Sequence, residues 1–386
     1  MADEWLLSVD EVEACDIARW YPRLEHVSFD TELLPLEKDV VAFLRRDGAA
    51  LPRSCRQDAQ LQESQLESVG QTIEWSDDED ADTVDDGGAD TDDFDCPELI
   101  TRINETVTRL GGTVLPKLNW SAPRDAVWNS VSQSLQCVDA NDVFAMLKAS
   151  RFASHDLFRA YDCCCLVEHD EDKVAEIETR RREGPRGGFV LALRRFDHDL
   201  THAHEFRCFV AGRRLLRVTQ RDHRTRFDKL HEKETQDAIK SKILSFFESY
   251  LRDFDVPDFV FDVVLDKTLS TVTLVDVAPF HPKTDSFLVP WPQLHRLRRE
   301  ASEQKLQLVL QDETHVGRND MMQYVLPQEL VDVCNADAVA AFAEACRQGH
   351  FDAGNLPEHL LRPDSQAGEL PVSDAKLRSA DQLRRL

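Results

Sequence analysis

The most informative stretch of the sequence is FVFDVVLDKTLSTVTLVDV, residues 259–277, because it contains two apolar runs separated by a turn. Side chains of a strand alternate between its two faces, so Asp262 shares one face with the valines two positions away on either side. With a turn midway between the runs, Asp262 pairs with Asp276, and Val264 pairs with Leu274. The stretch therefore predicts a β-hairpin in which two carboxylates face each other across adjacent strands.

Two opposed carboxylates require a cation or water. Like charges at this separation repel each other, and partial burial adds a desolvation cost. A hard divalent cation such as Mg²⁺, shared with phosphate oxygens, removes both costs. The alternative is a hairpin with one hydrated face, on which Asp262 and Asp276 are solvated separately.

Basic side chains near strand ends supply the charge that phosphate groups require. Lys117 ends one predicted strand, Arg207 lies in the middle of another, and Arg221 follows a third. An arginine among Phe and Val in mid-strand is unusual unless it has an anionic partner. For Arg207 a local pair with Glu205 is an equal interpretation. For Lys117 and Arg124 the alternative is an ordinary solvated surface.

Apolar spacing and turn signals predict the order of the secondary structure. We expect a helix over residues 97–110, a second helix with Trp128, Val131 and Leu135 on one face, and an irregular loop over residues 154–188. Further predicted elements are strands over residues 189–193, 206–210 and 214–219 and a helix over residues 239–250. This order predicts an α+β fold with mostly antiparallel sheets.

The net charge of −26 on 386 residues is concentrated in one segment. Residues 57–101 contain 16 Asp or Glu and no Lys or Arg. The part over residues 73–95 has too few apolar side chains to offset the entropy of ordering, so we expect an acidic disordered linker over residues 54–96. A short docking motif around Trp75 is the other interpretation.

Composition excludes several classes of function. The acidic excess argues against direct nucleic-acid binding, since phosphate recognition requires clustered Lys and Arg. No stretch reaches about 18 consecutive apolar residues, so we expect no membrane span. The ten cysteines include the adjacent Cys163, Cys164 and Cys165, a poor disulfide framework, which favours reduced thiols and a cytoplasmic protein.

No compact catalytic motif is present. The sequence lacks G-x-x-x-x-G-K-[ST], G-x-G-x-x-G, H-E-x-x-H and G-x-S-x-G, so any chemistry depends on residues from several strands. His198, His202 and His204 have a spacing that suits Zn²⁺, with the three adjacent thiols as further candidate ligands. They lie in an expected exposed connection, so adventitious metal binding is the favoured interpretation.

Several motifs together resemble the cell division cycle protein 123 family. They are LGGTVLPKLNWSAPRDAVW (110–128), EFRCFV (205–210), QRD (220–222), DFVFDV (258–263), TDSF (284–287), WYP (20–22), IEWSDDED (73–80) and YVLPQELVDV (324–333). The segment KLNWSAPRDA is long and rare, which makes the resemblance specific.

The resemblance implies a fold and a function. Members of this family have an ATP-grasp fold and bind ATP with Mg²⁺ between two subdomains. They are assembly chaperones that bind the gamma subunit of translation initiation factor 2, so that the alpha and beta subunits can join. We therefore expect a monomer in which residues 1–53 pack on an ATP-grasp core of two subdomains, residues 97–187 and 188–335, followed by a C-terminal helix and flexible tail, residues 336–386.

The resemblance also implies the residues of the nucleotide cleft between the two mostly antiparallel sheets. Those expected along the cleft are Lys117, Asn119, Ser121, Ala122 and Arg124. Those expected at the adenine hinge are Arg194, Arg195 and Phe196. Arg207 and Arg221 are expected at the phosphates, and Asp262 and Asp276 are expected at Mg²⁺.

Two positions depart from the family pattern. Where the family reads D-F-N-P-F, with Asn as a metal ligand, this sequence reads D-V-A-P-F, and Ala278 cannot coordinate a metal. Water must then replace that ligand. The hinge reads Arg194-Arg195 where the family commonly has Arg-Lys, and the two cations are not equivalent at phosphate.

Two other functions fit the same fold. One is an ATP-grasp ligase that forms an acyl-phosphate and couples it to an amine, which needs a further substrate pocket that the sequence does not reveal. Ala278 also counts against it, since phosphoryl transfer relies on a well-held cation. The other is a binding module that has lost ATP. A chaperone without catalytic residues is the leading hypothesis.

Overall fold

The computed structural model describes residues 6–46, 48, 50–56, 94–130, 133–164, 171–197, 200, 202–300 and 305–313. Predicted features outside these residues are the segment 57–93, Val131, Cys165, His198 and the C-terminal helix and tail, residues 336–386. None of the helices in the described part combines the length and apolar character needed to span a bilayer.

Two sheets form the framework of the described residues. Their strands are β1 (Thr31–Pro35), β2 (Val114–Lys117), β3 (Val190–Arg195), β4 (Glu205–Ala211), β5 (Arg214–Gln220), β6 (Phe259–Leu265), β7 (Val272–Pro279) and β8 (Gln307–Val309). The first sheet has the order β1-β3-β2 and the second β7-β6-β4-β5-β8. Every pair is antiparallel except β5 with β8. The predicted α+β class with mostly antiparallel sheets is confirmed.

Helices cover both sheets. They are α1 (Val9–Ala14), α2 (Ile17–Leu24), α3 (Lys38–Leu44), α4 (Pro97–Arg109), α5 (Ala140–Ala149), α6 (Arg151–Arg159), α7 (Glu171–Glu183), α8 (Lys233–Phe246) and α9 (Trp291–Arg299). A π-helical turn, Phe247–Leu251, continues α8, and a 3-10 helix spans Arg124–Asn129. The predicted helix over residues 97–110 is confirmed as α4, with Pro97 in its first turn and Gly111 just beyond it at a φ of 100°.

Side-chain alternation gives the second sheet an apolar face and an opposite face, called the charged face, on which charged side chains lie beside a smaller apolar cluster with α9. Phe206 and Cys208 of β4 and Phe261 of β6 are fully buried in one cluster with side chains of α2 and α8. Because successive side chains point to opposite faces, Arg207 and Asp262 lie on the other face. The charged residues of the predicted site are thus held by strands whose opposite face is anchored in the core.

The first sheet is anchored in a separate apolar cluster. Ile103 and Val107 of α4 and Phe144 of α5 are buried together with Leu191 and Leu193 of β3. Strand β1 of the N-terminal segment pairs with β3 along its whole length. The N-terminal segment therefore contributes a strand to this sheet in addition to packing against it.

The residues that flank the acidic segment contact each other. The backbone N–H and the Oγ of Ser54 donate to the Asp95 carboxylate at 3.1 and 2.6 Å. The N–H of Arg53 donates to the carbonyl of Phe94 at 3.0 Å. The residues on either side of segment 57–93 are therefore hydrogen-bonded to each other.

The prediction of a helix that continues from Trp128 to Leu135 is wrong. Among the described residues of this range the structure has only the 3-10 helix Arg124–Asn129, and Trp128 is 56% exposed. Asp125 accepts hydrogen bonds from the Oγ of Ser150 at 2.6 Å, which ties this turn to the start of α6. Gln133 then adopts a φ of 48°, a left-handed conformation that an α-helix cannot contain.

The irregular loop predicted over residues 154–188 is also wrong, because α6 and α7 occupy most of that range. Helix α6 is capped by Ser150, whose Oγ accepts the N–H of Ala153 at 3.1 Å. Helix α7 has no continuous apolar face that would reveal it in the sequence. Its buried Ile177 packs in an apolar cluster with residues of α1, and Glu176 forms an ion pair with Arg186.

One strand joins a different sheet from the one expected. Strand β3 falls within residues 188–335, the range expected for the second subdomain, but it is the central strand of the first sheet. A short apolar run fits any central strand, and its neighbours are chosen by tertiary contacts that periodicity does not contain.

Candidate functional site

A row of charged side chains crosses the second sheet on its charged face. The strand register places Asp262 opposite Asp276 on one side and opposite Arg207 on the other. The predicted pairing of the two carboxylates is confirmed. The predicted pairing of Val264 with Leu274 is wrong, since a bulge next to Asp262 shifts the register by one residue.

Two arginines hold the Asp262 carboxylate. Arg207 donates from Nε to Oδ1 and from Nη2 to Oδ2, both at 2.7 Å. Arg221 donates from Nε to Oδ2 at 3.3 Å, and from Nη1 to the Oε2 of Glu205 at 3.0 Å. The alternative pair of Arg207 with Glu205 is therefore wrong, because Arg221 occupies that place.

The charge state of Asp262 follows from these contacts. Burial by itself would raise the pKa of this carboxyl, which belongs to a residue that is 3% exposed. The positive charges of Arg207, Arg221 and Arg124 outweigh burial and lower the pKa to about 2. Asp262 is therefore ionised at every physiological pH.

Lys117 links the end of β2 to β7. Its side chain is 3% exposed, and its Nζ donates to the Oδ2 of Asp276 at 3.0 Å and to the carbonyl of Trp120. The alternative of an ordinary solvated surface is therefore wrong for Lys117. Arg194 makes a second link, from Nη1 to the carbonyl of Val275 at 2.7 Å, beside the bulge.

Arg124 adds a further cation. Its guanidinium lies 5.9 Å from the ring of Phe152, and its N–H donates to the carbonyl of Ala122 at 2.8 Å. Burial, followed by the positive charges of Arg221 and Arg207, lowers the pKa of Arg124 to about 10. Within the described residues no carboxylate forms an ion pair with it. Positive charge at this site therefore exceeds what the neighbouring acids neutralise, as in an anion site.

Asn119 and Ser121 use their polar groups inside the protein. Asn119 is fully buried, and its Nδ2 donates to the Oδ2 of Asp16 at 2.9 Å. Its Oδ1 accepts the N–H of Val190 at 3.0 Å. The Oγ of Ser121 donates to the Oδ1 of Asp156 at 2.8 Å. Both residues fix the turn that follows β2 and thereby position Lys117 and its neighbours.

Sequence reasoning missed Asp16 and Asp156, the acceptors of this turn. Each is 2% exposed, and burial raises the pKa of each to about 6, against the lowering effect of Asn119 on Asp16 and of Lys117 on Asp156. Asp16 precedes α2 and accepts the N–H of Ala18 at 2.8 Å, so a helix N-cap pattern was its only sequence signal. Asp156 lies in a helix that the sequence did not reveal.

The expected adenine hinge uses its backbone donors within the protein. The N–H of Arg195 donates to the carbonyl of Asp30 at 2.9 Å, and the N–H of Phe196 donates to the carbonyl of Thr113 at 3.1 Å. The Arg195 guanidinium forms an ion pair with Asp30 at 3.0 Å. A base at this strand end would therefore rely on carbonyl oxygens and apolar contact.

The histidine cluster forms no metal site in the described residues. His202 is exposed and lies 3.6 Å from the Oε1 of Glu205, while Cys164 packs with Tyr161 in a separate cluster. Across the ranges that the structure describes, no group of three or more His, Cys, Asp or Glu could hold a metal ion.

Comparisons with known proteins agree on one family. A family model described as D123 matches residues 20–334. A relative from Xenopus tropicalis, described as "Translation initiation factor eIF2 assembly protein", is 30% identical over 336 residues, which cover 85% of this chain and 93% of the relative. One of the same description from Aspergillus fumigatus is 34% identical over 288 residues, 74% of this chain and 63% of the relative.

A solved structure agrees with this family. The C-terminally truncated Cdc123 from Schizosaccharomyces pombe matches with a TM-score of 0.61 and 27% sequence identity, covering 80% of this chain and 99% of that chain. The fold class expected from the resemblance is therefore confirmed at the level of the whole described framework.

Proposed function

The chain belongs to the D123 family, the cell division cycle protein 123 family that its motifs resemble, and we propose that it is an ATP-binding assembly chaperone of translation initiation factor 2. The relatives described as eIF2 assembly proteins support the role in assembly. The partner that the resemblance implies is the gamma subunit, bound by a monomer.

The charge balance of the site carries the nucleotide part of the proposal. Four cations, Lys117, Arg124, Arg207 and Arg221, lie near three carboxylates of the described residues, those of Asp262, Asp276 and Glu205. Arg124 is the clearest sign, because its pKa is lowered by burial and by neighbouring arginines. A polyphosphate placed among these cations would supply the negative charge that the protein does not provide.

The same residues fit a divalent cation only in part. Asp262 and Asp276 face each other across adjacent strands, as a shared metal requires. Asp262 accepts three hydrogen bonds from arginines, so one lone pair remains on its Oδ1. Ala278 supplies no donor. Mg²⁺ would therefore be held chiefly by Asp276 and by phosphate oxygens and water, and it would supply positive charge to the nucleotide.

Isothermal titration of two variants tests the nucleotide site. Arg124→Gln removes a phosphate-facing charge and should weaken binding of ATP with and without Mg²⁺ by about tenfold. Asp276→Ala removes a metal ligand, so it should weaken the binding of Mg²⁺-ATP much more than the binding of metal-free ATP. Metal-free ATP is no longer repelled by the Asp276 carboxylate in this variant. Arg182→Gln, on the exposed face of α7, is the matched control and should bind like the wild type.

Each outcome decides a separate part of the proposal. Wild-type protein that binds no nucleotide would support the alternative hypothesis of a binding module that has lost ATP. Asp276→Ala that binds Mg²⁺-ATP as tightly as wild type would remove the hairpin from the metal site. Phosphate release that depends on an added acid and amine would favour the ligase.

Capture from cytosol tests the partner. The tagged protein with ATP and Mg²⁺ should retain the gamma subunit of translation initiation factor 2, identified by mass spectrometry, and the Arg124→Gln variant should retain less. An eluate without that subunit would contradict the chaperone function.

A further inference from the structure

An aromatic ring covers the two arginines that hold Asp262. The ring of Phe287, in the connection between β7 and α9, lies 4.7 Å from the guanidinium of Arg207 and 6.0 Å from that of Arg221. The ring of His223 stacks on Phe287, with centroids 5.4 Å apart and planes at 24°. One aromatic side chain therefore contacts both phosphate-facing cations, a role that neither the charge pattern nor the TDSF motif reveals.

Phe287 occupies this place at a conformational cost. Its φ is 50°, in the left-handed region that bulky side chains rarely adopt. Its N–H donates to the Oδ1 of Asp285 at 2.9 Å. The carbonyl of the same Asp285 accepts the Nη1 of Arg207 at 2.6 Å. The strained turn is thus bonded directly to the arginine that its ring covers.

Hydrogen bonds along its edge and a ring on one face fix the orientation of the Arg207 guanidinium. Three of its five N–H groups donate to Asp262 and to the carbonyl of Asp285, and all of these acceptors lie along the edge of the guanidinium. Phe287 covers one face of the guanidinium, where the quadrupole of its ring attracts the cation. A guanidinium held this way keeps its remaining N–H groups in a set direction and loses little entropy when it binds an anion.

We propose that Phe287 is a positioning residue for the phosphate groups of the bound nucleotide, acting through the aromatic face that it presents to Arg207 and Arg221. This inference rests on the proposed function. Its specific content is that the π-face is required, and that apolar volume alone is insufficient. A purely structural role in packing the turn would need only volume.

Substitution within one shape class separates these two roles. Phe287→Leu keeps an apolar side chain branched at Cγ and leaves the same backbone strain, but it removes the π-face. Phe287→Tyr keeps the π-face. Phe280→Leu, in the same connection, is the matched control, because the Phe280 ring packs edge-on against Trp291 with centroids 5.0 Å apart.

Titration with Mg²⁺-ATP and with inorganic tripolyphosphate gives the first readout. Phe287→Leu should bind both about five- to tenfold more weakly than wild type, the range of a cation–π contact. Phe287→Tyr should stay within about twofold. Phe280→Leu should bind normally even where its melting temperature falls. The Nε–H resonance of Arg207 gives the second readout, since the ring current should shift it in wild type and Phe287→Tyr and not in Phe287→Leu.

The outcomes keep this inference apart from the proposed function. Equal affinities of Phe287→Leu and wild type would overturn the role of Phe287 while leaving ATP binding intact. A wild type that binds tripolyphosphate but does not bind ATP would contradict the proposed function. The role of Phe287 would then still be tested by the affinities of its variants for tripolyphosphate. A wild type that binds neither anion would overturn both.

Discussion

Asp16 and Asp156 are the buried carboxyls on which the turn after β2 depends, and they behave oppositely to Asp262. Burial raises the pKa of Asp16 and Asp156 to about 6, whereas the surrounding arginines outweigh burial and lower that of Asp262 to about 2. The difference lies in the neighbours. Asp156 accepts bonds from Ser121, a neutral group, whereas Asp262 accepts only from guanidinium groups.

These shifts predict how stability depends on pH. Because the folded pKa of Asp156 lies above its ordinary value of 3.8, the folded state binds more protons than the unfolded state between about pH 4 and 6. The free energy of unfolding should therefore fall as the pH rises through that window, and Asp16 should add a similar fall. Asp262 acts in the other direction, since its stabilising charge is lost as the pH falls from about 4 to 2.

Urea denaturation of wild type and Asp156→Asn at pH 4.5 and pH 6.5 checks this prediction. The variant cannot titrate at this position. As the pH rises from 4.5 to 6.5, the free energy of unfolding of wild type should therefore fall by about 2 kcal/mol more than that of the variant. A difference that stays constant between the two pH values would show that Asp156 has an ordinary pKa.

At the scale of elements, regular patterns were predictable and irregular ones were not. Helix α4 carries an apolar face with Pro and Gly at its two ends, and the β6–β7 hairpin alternates, so both followed from spacing. Helix α7 was not predicted because it has one buried apolar residue, Ile177, and its other contacts include ion pairs with residues outside it, so its sequence has no apolar face. The bulge next to Asp262 failed because it depends on pairing between strands, which no single strand encodes.

Gly184, just after α7, lies where a larger residue would not fit. Its φ is 87°, and a Cβ there would lie 2.3 Å from the buried ring of Phe189. Gly184→Ala should therefore lower the free energy of unfolding by about 2–4 kcal/mol, from backbone strain and overpacking together. Gly112→Ala is the matched control, because its φ is 90° but no atom lies within 4 Å of the added Cβ.

Chemical denaturation measures both glycine variants. Gly112→Ala should lose only the backbone contribution, about 1 kcal/mol. Equal losses in the two variants would mean that the Phe189 ring moves aside at no cost and that the end of α7 is loosely packed.

At the scale of the whole molecule, the site lies where the two sheets meet. Lys117 on β2 contacts Asp276 on β7, and Arg194 on β3 contacts the carbonyl of Val275. The Oγ of Ser28, from the N-terminal segment, donates to the carbonyl of Leu274 at 2.8 Å. The sequence supplied the residue types for this junction, but contacts between such distant positions depend on the packing of complete sheets.

The last prediction concerns the acidic segment and follows from its composition and from the contact between its flanking residues. Ser54 and Asp95 are hydrogen-bonded to each other, so residues 57–75 are long enough to close the chain when residues 76–93 are deleted. Roughly halving the length of this connection gains about 0.6 kcal/mol of closure entropy, and its acidic composition offers little apolar surface to bury. The deletion should therefore leave the melting temperature within about 2 °C of wild type.

Asp95→Ala is the matched control, because it removes the acceptor of both Ser54 bonds while keeping the acidic segment. It should lower the melting temperature more than the deletion does. At low salt the deletion should bind the proposed partner, the gamma subunit, more weakly than wild type does, and this difference should shrink as added salt screens the attraction of the acidic run for a basic partner. A drop of many degrees on deletion would mean that residues 76–93 pack on the core, and an affinity loss that persists at high salt would mean that they bind the partner by direct contact.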